Sequence, residues 1–191
     1  MSQFDKFDKV MKKRLKKSRY KHTLGVVDTA KKLARRHGVK VESAATAALL
    51  HDYGKYVDKK HLLEYAKKYG ITVDEVVVDS PELLHGEVGA ELVCVDLGVC
   101  DEDILNAIRY HTYGRRGMSK LEKIIYIADA IEPGRDYPGV DDLRKLANED
   151  LDLALKKALS DSIKFVIDKG HSLHYNTIKL WNDLVISNST Q

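Results

Sequence analysis

The run Ser43-Ala-Ala-Thr-Ala-Ala-Leu-Leu-His51-Asp52-Tyr-Gly54-Lys55 constrains this chain more than any other stretch. From Ala44 to Leu50 it is apolar on nearly every side of a helix, so it belongs in a core. It then ends on an imidazole, a carboxylate and, one turn later, an amine. A buried carboxylate is expensive unless a cation compensates it, and one metal ion would serve both His51 and Asp52. Neighbouring helix residues point about 100° apart, so the two side chains can share an ion only at a helix end. Gly54 is expected to be the C′ residue that ends the helix there.

The 191 residues predict a single domain over 1–191 with a proper core. A hydrophobic content of 43% and a charged content of 32% are ordinary for a globular protein. No apolar run approaches the roughly 18 residues of a membrane span, and the N-terminus lacks the apolar core of a signal peptide. The expected location is therefore the cytoplasm. Cys94 and Cys100 form no CxxC motif and are read as buried structural thiols in a reducing compartment.

The net charge of +3 is uneven: residues 6–21 hold nine Lys or Arg and one acid, Asp8. That segment is +8, leaving −5 for the rest. A nucleic-acid arm is one reading. The favoured one is an amphipathic helix that packs through Phe4, Phe7, Val10, Met11 and Leu15 with its lysines outward. A third reading has Arg19 and Lys21 lining an anion site.

Punctuation divides the chain into helices at about Phe4–Lys17, Lys21–His37, Val41–Tyr53 and Lys60–Tyr69. Thr72-x-x-Glu75 and Ser119-x-x-Glu122 read as capping boxes. Ser80-Pro81 opens a helix to Asp96, with Gly98 as its stop, and Asp101 caps one that reaches His111. Pro133 ends the helix that Ser119 begins. Asp141–Ala147, Leu151–Lys169 and a last helix capped by Asn176 complete the set. Val76–Asp79 is the only strand-like run, too short and isolated for a sheet, so the class is all-α.

Other helices also carry a His or an Asp among apolar residues: His22, His85, His111 and Asp129. A lone histidine on an apolar face is usually a satisfied core residue. Five helices each offering such a group, with the adjacent pair on the most buried one, point to a shared site. The donors are imidazole and carboxylate without thiolate, which suits Fe, Mn, Co, Ni or Zn and argues against a cysteine-type structural zinc. Open coordination positions would make such a site hydrolytic.

The segments Arg19-Tyr-Lys-His22-Thr-Leu-Gly-Val, Leu49-Leu-His51-Asp52-Tyr-Gly-Lys55, His85-Gly, His111-Thr112-Tyr-Gly and Ala128-Asp129-Ala-Ile-Glu-Pro-Gly-Arg135 resemble the HD-domain metal-dependent phosphohydrolases. The likeness is to the YqeK branch, over about Arg19 to Tyr175. HD alone is a weak signal; the ordered set is a strong one. The resemblance implies an HD-type helical bundle that hydrolyses diadenosine tetraphosphate symmetrically to two ADP. It implies that His22, His51, Asp52 and Asp129 hold one or two metal ions, iron in this branch. His85 and His111 would hold a second metal or bind phosphate, with Thr112 and Asp129 also facing substrate. Arg19, Lys55 and Arg135 would clamp the polyphosphate, and Asp52, Lys55, His85 and His111 would be the catalytic set, the general acid among them staying open.

The segment Gly170-His171-Ser172-Leu173-His174-Tyr175 either contacts the nucleoside or is a connector with two exposed histidines. An ADP- or GDP-like nucleotide is the implied ligand class. Rival readings are an HD nucleotidase or deoxynucleoside triphosphatase, a nucleic-acid-binding module on the basic helix, and a scaffold with a degenerate metal site. Phe4 and Phe7 on the first helix and Trp181 and Val185 on the last offer a homodimer surface, or pack inside the chain.

Overall fold

The computed structural model describes residues 2–186. Helices α1 (Gln3–Arg14), α2 (Lys17–His37), α3 (Val41–Leu50), α4 (Lys59–Tyr69), α5 (Glu75–Asp79), α6 (His85–Leu97), α7 (Glu102–Arg109), α8 (Lys120–Ile131), α9 (Val140–Glu149), α10 (Leu151–Asp168) and α11 (Tyr175–Ile186) follow in order. There is no strand among the described residues, so the all-α expectation holds. The strand-like Val76–Asp79 is helical.

Helix α3 is the hub. Ala44, Ala47, Ala48, Leu49 and Leu50 are fully buried, and α1, α2, α7 and α8 pack around it. Its alanines keep those neighbours close, and its C-terminal half, Ala47–Leu50, has no polar face to turn to solvent, while Glu42 and Thr46 reach the surface nearer its start. One hydrophobic cluster runs from Phe7 on α1 to Leu180 on α11. Helix α1 docks through Phe7, Met11 and Leu15, with Lys6, Lys12 and Lys13 exposed, as an amphipathic helix should. Phe7 is thus spent inside the chain, while Val185 is exposed.

Several boundaries differ from expectation. The first helix stops at Arg14, because Leu15 turns extended and α2 restarts at Lys17. His22 therefore lies in the second turn of α2 and does not open it. Helix α3 ends at Leu50, and His51 and Asp52 begin a tight turn that leads into a 3-10 segment, Tyr53–Tyr56. Gly54 sits inside that segment without a positive φ, so it is not a C′ stop. Its small size is needed for another reason: a Cβ there would be driven into the main-chain carbonyl of His85.

Asp74, not Thr72, caps α5 by accepting the N–H of Val77 at 3.0 Å. Pro81–Leu84 is a 3-10 turn and Ser80 makes no capping bond. Helix α7 ends at Arg109, so His111 lies in the turn beyond it. The side chain capping α11 is His174, whose Nδ1 accepts the N–H of Asn176 at 3.2 Å. The Ser119/Glu122 capping box is formed, and Gly38, Gly70 and Gly98 end α2, α4 and α6 with positive φ.

The cysteines also differ. Cys94 is half-buried, Cys100 is exposed, and a disulfide joins them across the turn between α6 and α7. Gly98 folds the chain back after α6, and this brings the two side chains together. No helix among the described residues is long and apolar enough to cross a membrane.

Candidate metal centre

The ends of α3 and α7, the start of α6, the second turn of α2 and the last turn of α8 converge on one point. They bring His22, His51, Asp52, His85, His111 and Asp129 together. His51, Asp52, His85 and His111 are all less than 5% exposed. His22 and Asp129 are partly open, at 12% and 24% of their side chains, and form the mouth.

Each imidazole is oriented by its Nδ1. That atom lies 2.7 Å from the Ala48 carbonyl oxygen in His51, 2.6 Å from that of Glu82 in His85, and 2.7 Å from that of Ile108 in His111. All three acceptors lie three residues upstream, at places where helical bonding is ending or changing. Their Nδ1 atoms donate, so the Nε2 atoms point inward. His22 lies within α2, in its second turn, and uses Glu132, whose Oε1 lies 3.1 Å from its Nδ1.

The Nε2 atoms face carboxylates. His22 Nε2 is 3.0 Å from Asp129 Oδ1, and His51 Nε2 is 3.4 Å from Asp52 Oδ2, yet neither makes an aligned hydrogen bond among the described residues. His85 and His111 Nε2 lie 3.5 and 3.8 Å from Asp52 Oδ1. Donor atoms of His22, His51 and Asp129 lie within 4.8 Å of one another, and so do those of His51, Asp52 and His111. Inward Nε2 atoms, fixed by hydrogen bonds on Nδ1 and gathered around two carboxylates, fit a divalent metal with nitrogen and oxygen ligands.

The electrostatics call for positive charge at the same point. Burial disfavours a charge on His51, but Asp52, Asp129 and the Ala48 carbonyl outweigh it and hold the imidazole above its ordinary value. Burial would raise Asp52, but His51, His85 and His111 hold it well below the usual carboxylate range. Asp129 is likewise held far down: His22, His51, His111 and Arg135 overcome its burial. Burial and His51 push His111 down to about 4, and burial and His111 push His85 well below normal.

The cationic residues take distinct places. Arg19 Nη1 is 3.1 Å from Asp52 Oδ2, and Arg135 Nη2 is 2.6 Å from Asp129 Oδ1. Both side chains are about 40% exposed at the mouth. The exposed Lys55 is depressed by surrounding protein atoms, while Asp52 and Asp129 act on it in the opposite sense. Thr112 Oγ1 is 3.3 and 3.2 Å from the Nε2 atoms of His85 and His111.

The 170–175 segment is divided. Gly170, His171, Ser172 and Tyr175 are exposed, whereas Leu173 and His174 are half-buried. His174 stacks on Tyr113, with centroids 3.9 Å apart, so the segment rests on the turn that carries His111 and Thr112. Tyr175 hydrogen-bonds Glu75. A surface groove of about 760 Å³ between α1, α2, α3 and the α6–α7 turn contains none of these site residues.

Glu132 had no role in the sequence reading. A glutamate before Pro-Gly reads as a solvated turn residue. The usable signal was the chain order Asp129-Ala-Ile-Glu132, which puts two carboxylates one turn apart at a helix end.

A family model described as the HD domain matches residues 19–134. The chain belongs to the HD-domain family. It is 44% identical to a symmetrical bis(5'-nucleosyl)-tetraphosphatase of Bacillus subtilis (strain 168), over 92% of this chain and 94% of that protein. It is 39% identical to the protein of the same name from Halalkalibacterium halodurans, over 93% and 94%. A crystal structure from Clostridium acetobutylicum, described as a predicted HD superfamily hydrolase involved in NAD metabolism, superposes with a TM-score of 0.93. It has 46% identity over 98% of this chain and 99% of that one. HD domains are metal-dependent, and the His/Asp cluster of this one could hold the metal.

Proposed function

We propose that this HD domain is a metal-dependent symmetrical bis(5'-nucleosyl)-tetraphosphatase that splits diadenosine tetraphosphate into two ADP. The observation that carries the reading is the inward set of Nε2 atoms around Asp52 and Asp129, in a chain 38–44% identical to enzymes of that name. His22, His51, Asp52 and Asp129 would hold the metal, iron by resemblance, in one or two ions. When bound, the metal supplies a water of lowered pKa near neutral pH.

The chain's own residues do the rest. Arg19, Lys55 and Arg135 line the mouth as cations for a polyphosphate, whose charge rises at the equatorial oxygens in the transition state. Arg19 and Arg135 stay anchored to Asp52 and Asp129 and keep further donors for phosphate. His85, His111 and Thr112 face the reacting phosphorus, and one of the imidazoles or Lys55 delivers a proton to the leaving ADP oxygen. The segment 170–175, seated on Tyr113, contacts the nucleoside. A nucleotide substrate supports a cytoplasmic location, and the exposed Ile178 and Val185 on α11 are candidates for a homodimer contact.

The test is metal analysis of the purified protein with chromatography of the products from diadenosine tetraphosphate, for wild type and Asp52→Ala. Bound metal with ADP as sole product, both lost in Asp52→Ala, is the expected result. Metal without cleavage would move the reading to other phosphoesters. Neither metal nor cleavage, after reconstitution with Fe, Mn and Co, would overturn it.

A further inference from the structure

We propose that Glu132 is the positioning residue that makes His22 a metal ligand, and that Gly25 and Gly134 exist to admit its carboxylate. The inference rests on the metal-site reading given above. His51, His85 and His111 turn their Nδ1 atoms onto carbonyls three residues upstream. His22 has no such acceptor: mid-helix carbonyls are engaged in the ladder, and the carbonyl three residues upstream, that of Arg19, already accepts the Thr23 hydroxyl at 3.0 Å. An acceptor must therefore come from another element.

Glu132 supplies it. It is 5% exposed, its Oε1 lies 3.1 Å from His22 Nδ1, and its Oε2 accepts the Gly134 N–H at 2.6 Å. A Cβ at Gly25, one helical turn after His22, would lie 2.5 Å from Glu132 Oε2. A Cβ at Gly134 would lie 2.9 Å from Oε1 and 3.1 Å from Oε2. Two segments thus vacate the volume that the carboxylate fills. The turn bearing it is held from α9: Arg144 donates to the carbonyls of Ile131 and Glu132 at 3.0 Å and of Arg135 at 2.8 Å. With Nδ1–H committed to Glu132, the ring is locked with its Nε2 lone pair toward Asp129. A carboxylate partner also makes the imidazole a stronger donor than a carbonyl would.

The test uses stripped wild type, Glu132→Gln, Glu132→Ala and Gly25→Ala, each titrated with Mn²⁺ against a competing chelator. Ring-¹⁵N histidine spectra report the His22 tautomer. Glu132→Ala is expected to weaken Mn²⁺ by about 10- to 100-fold and to lose the fixed Nδ1–H tautomer. Glu132→Gln, which can still accept from Nδ1–H, should recover most of both. Gly25→Ala, which removes no polar group, should shift both readouts in the direction of Glu132→Ala. Wild-type affinity and tautomer in Glu132→Ala would overturn the inference. Failure of wild type itself to bind Mn²⁺, Fe or Co would instead sink the metal reading on which it stands. If Glu132→Ala does not fold, the Gln and Gly25 variants decide: unchanged affinity and tautomer in Gly25→Ala overturn the proposal.

Discussion

His85 Nε2 and His111 Nε2 stand 3.0 Å apart, although the Nδ1 atom of each ring is already engaged by a main-chain carbonyl. With both Nδ1 atoms donating, the two Nε2 lone pairs face each other. The Thr112 hydroxyl can donate to only one of them at a time. The pair is therefore built to receive a proton-bearing or cationic group, and Asp52 Oδ1, 3.5 Å from His85, adds to that demand.

Replacing either ring should cost turnover, by about 100-fold for His85→Ala and for His111→Ala, the usual range for a positioned acid–base group. Metal content should rank them. His111 shares a set of converging donor atoms with His51 and Asp52, and His85 Nε2 lies 3.0 Å from His111 Nε2 and 3.5 Å from Asp52 Oδ1. Because His111 also meets the His51 ring, His111→Ala should lose more metal than His85→Ala. Metal per chain and kcat on diadenosine tetraphosphate decide this. Wild-type kcat in His85→Ala would sink the role given to the pair.

Acid should unfold the metal-stripped protein through the same two rings. His111 titrates near 4 when folded, against an ordinary value of 6.5, and His85 is pushed the same way. Between those limits the unfolded chain binds more protons than the folded one, so stability falls as pH drops from 6.5 to 4. His111 alone would contribute roughly 3 kcal/mol across that window. His51, raised when folded, works oppositely: its contribution is present below 6.5 and is lost as pH rises through its folded pKa. Urea midpoints from pH 7 to 4.5, with the chelator present, should fall for wild type and fall less for His111→Asn.

What could be read in advance was whatever depends on neighbours in sequence. Apolar spacing and the stops at Gly38, Gly70 and Gly98 yield most helices. The burial of α3 follows from Ala44–Leu50 alone. The convergence of His22, His51, Asp52, His85, His111 and Asp129 was inferable because each is a polar group on an apolar face. Contacts between distant segments were not. Glu132 reaches back across α2 to His22, and Gly54 yields space to the start of α6; neither leaves a local signature. The Cys94–Cys100 bond depends on how sharply the chain turns after Gly98, which the residue types do not specify.

That disulfide makes a chemical prediction. The untreated protein, unfolded and alkylated, should take up no label, and the reduced protein should take up two equivalents by mass spectrometry. The loop it closes is short, so reduction or the double Cys94→Ser/Cys100→Ser change should cost no more than about 2 kcal/mol. Two reactive thiols in the untreated protein would show that the bond does not form.

Gly54→Ala should damage the protein far more than a glycine-to-alanine change usually does. The three atoms nearest a Cβ at Gly54 are all main chain: the His85 carbonyl oxygen, its carbon at 3.0 Å and the Gly89 Cα at 3.2 Å. No rotamer change can make room, so the start of α6 must move away from the 3-10 segment Tyr53–Tyr56. Such overpacking costs about 2–3 kcal/mol. The shift also carries His85 away from Asp52, so turnover should fall together with stability. Gly38→Ala is the control. Gly38 has a φ of 69° and nothing within 4 Å of a Cβ, so its cost should be only the roughly 1 kcal/mol of a left-handed alanine, with kcat unchanged. Urea unfolding and diadenosine tetraphosphate turnover on the two variants compare the effects directly. A Gly54→Ala protein with wild-type midpoint and turnover would mean that the approach of the Tyr53–Tyr56 segment to α6 is not what holds His85 against Asp52.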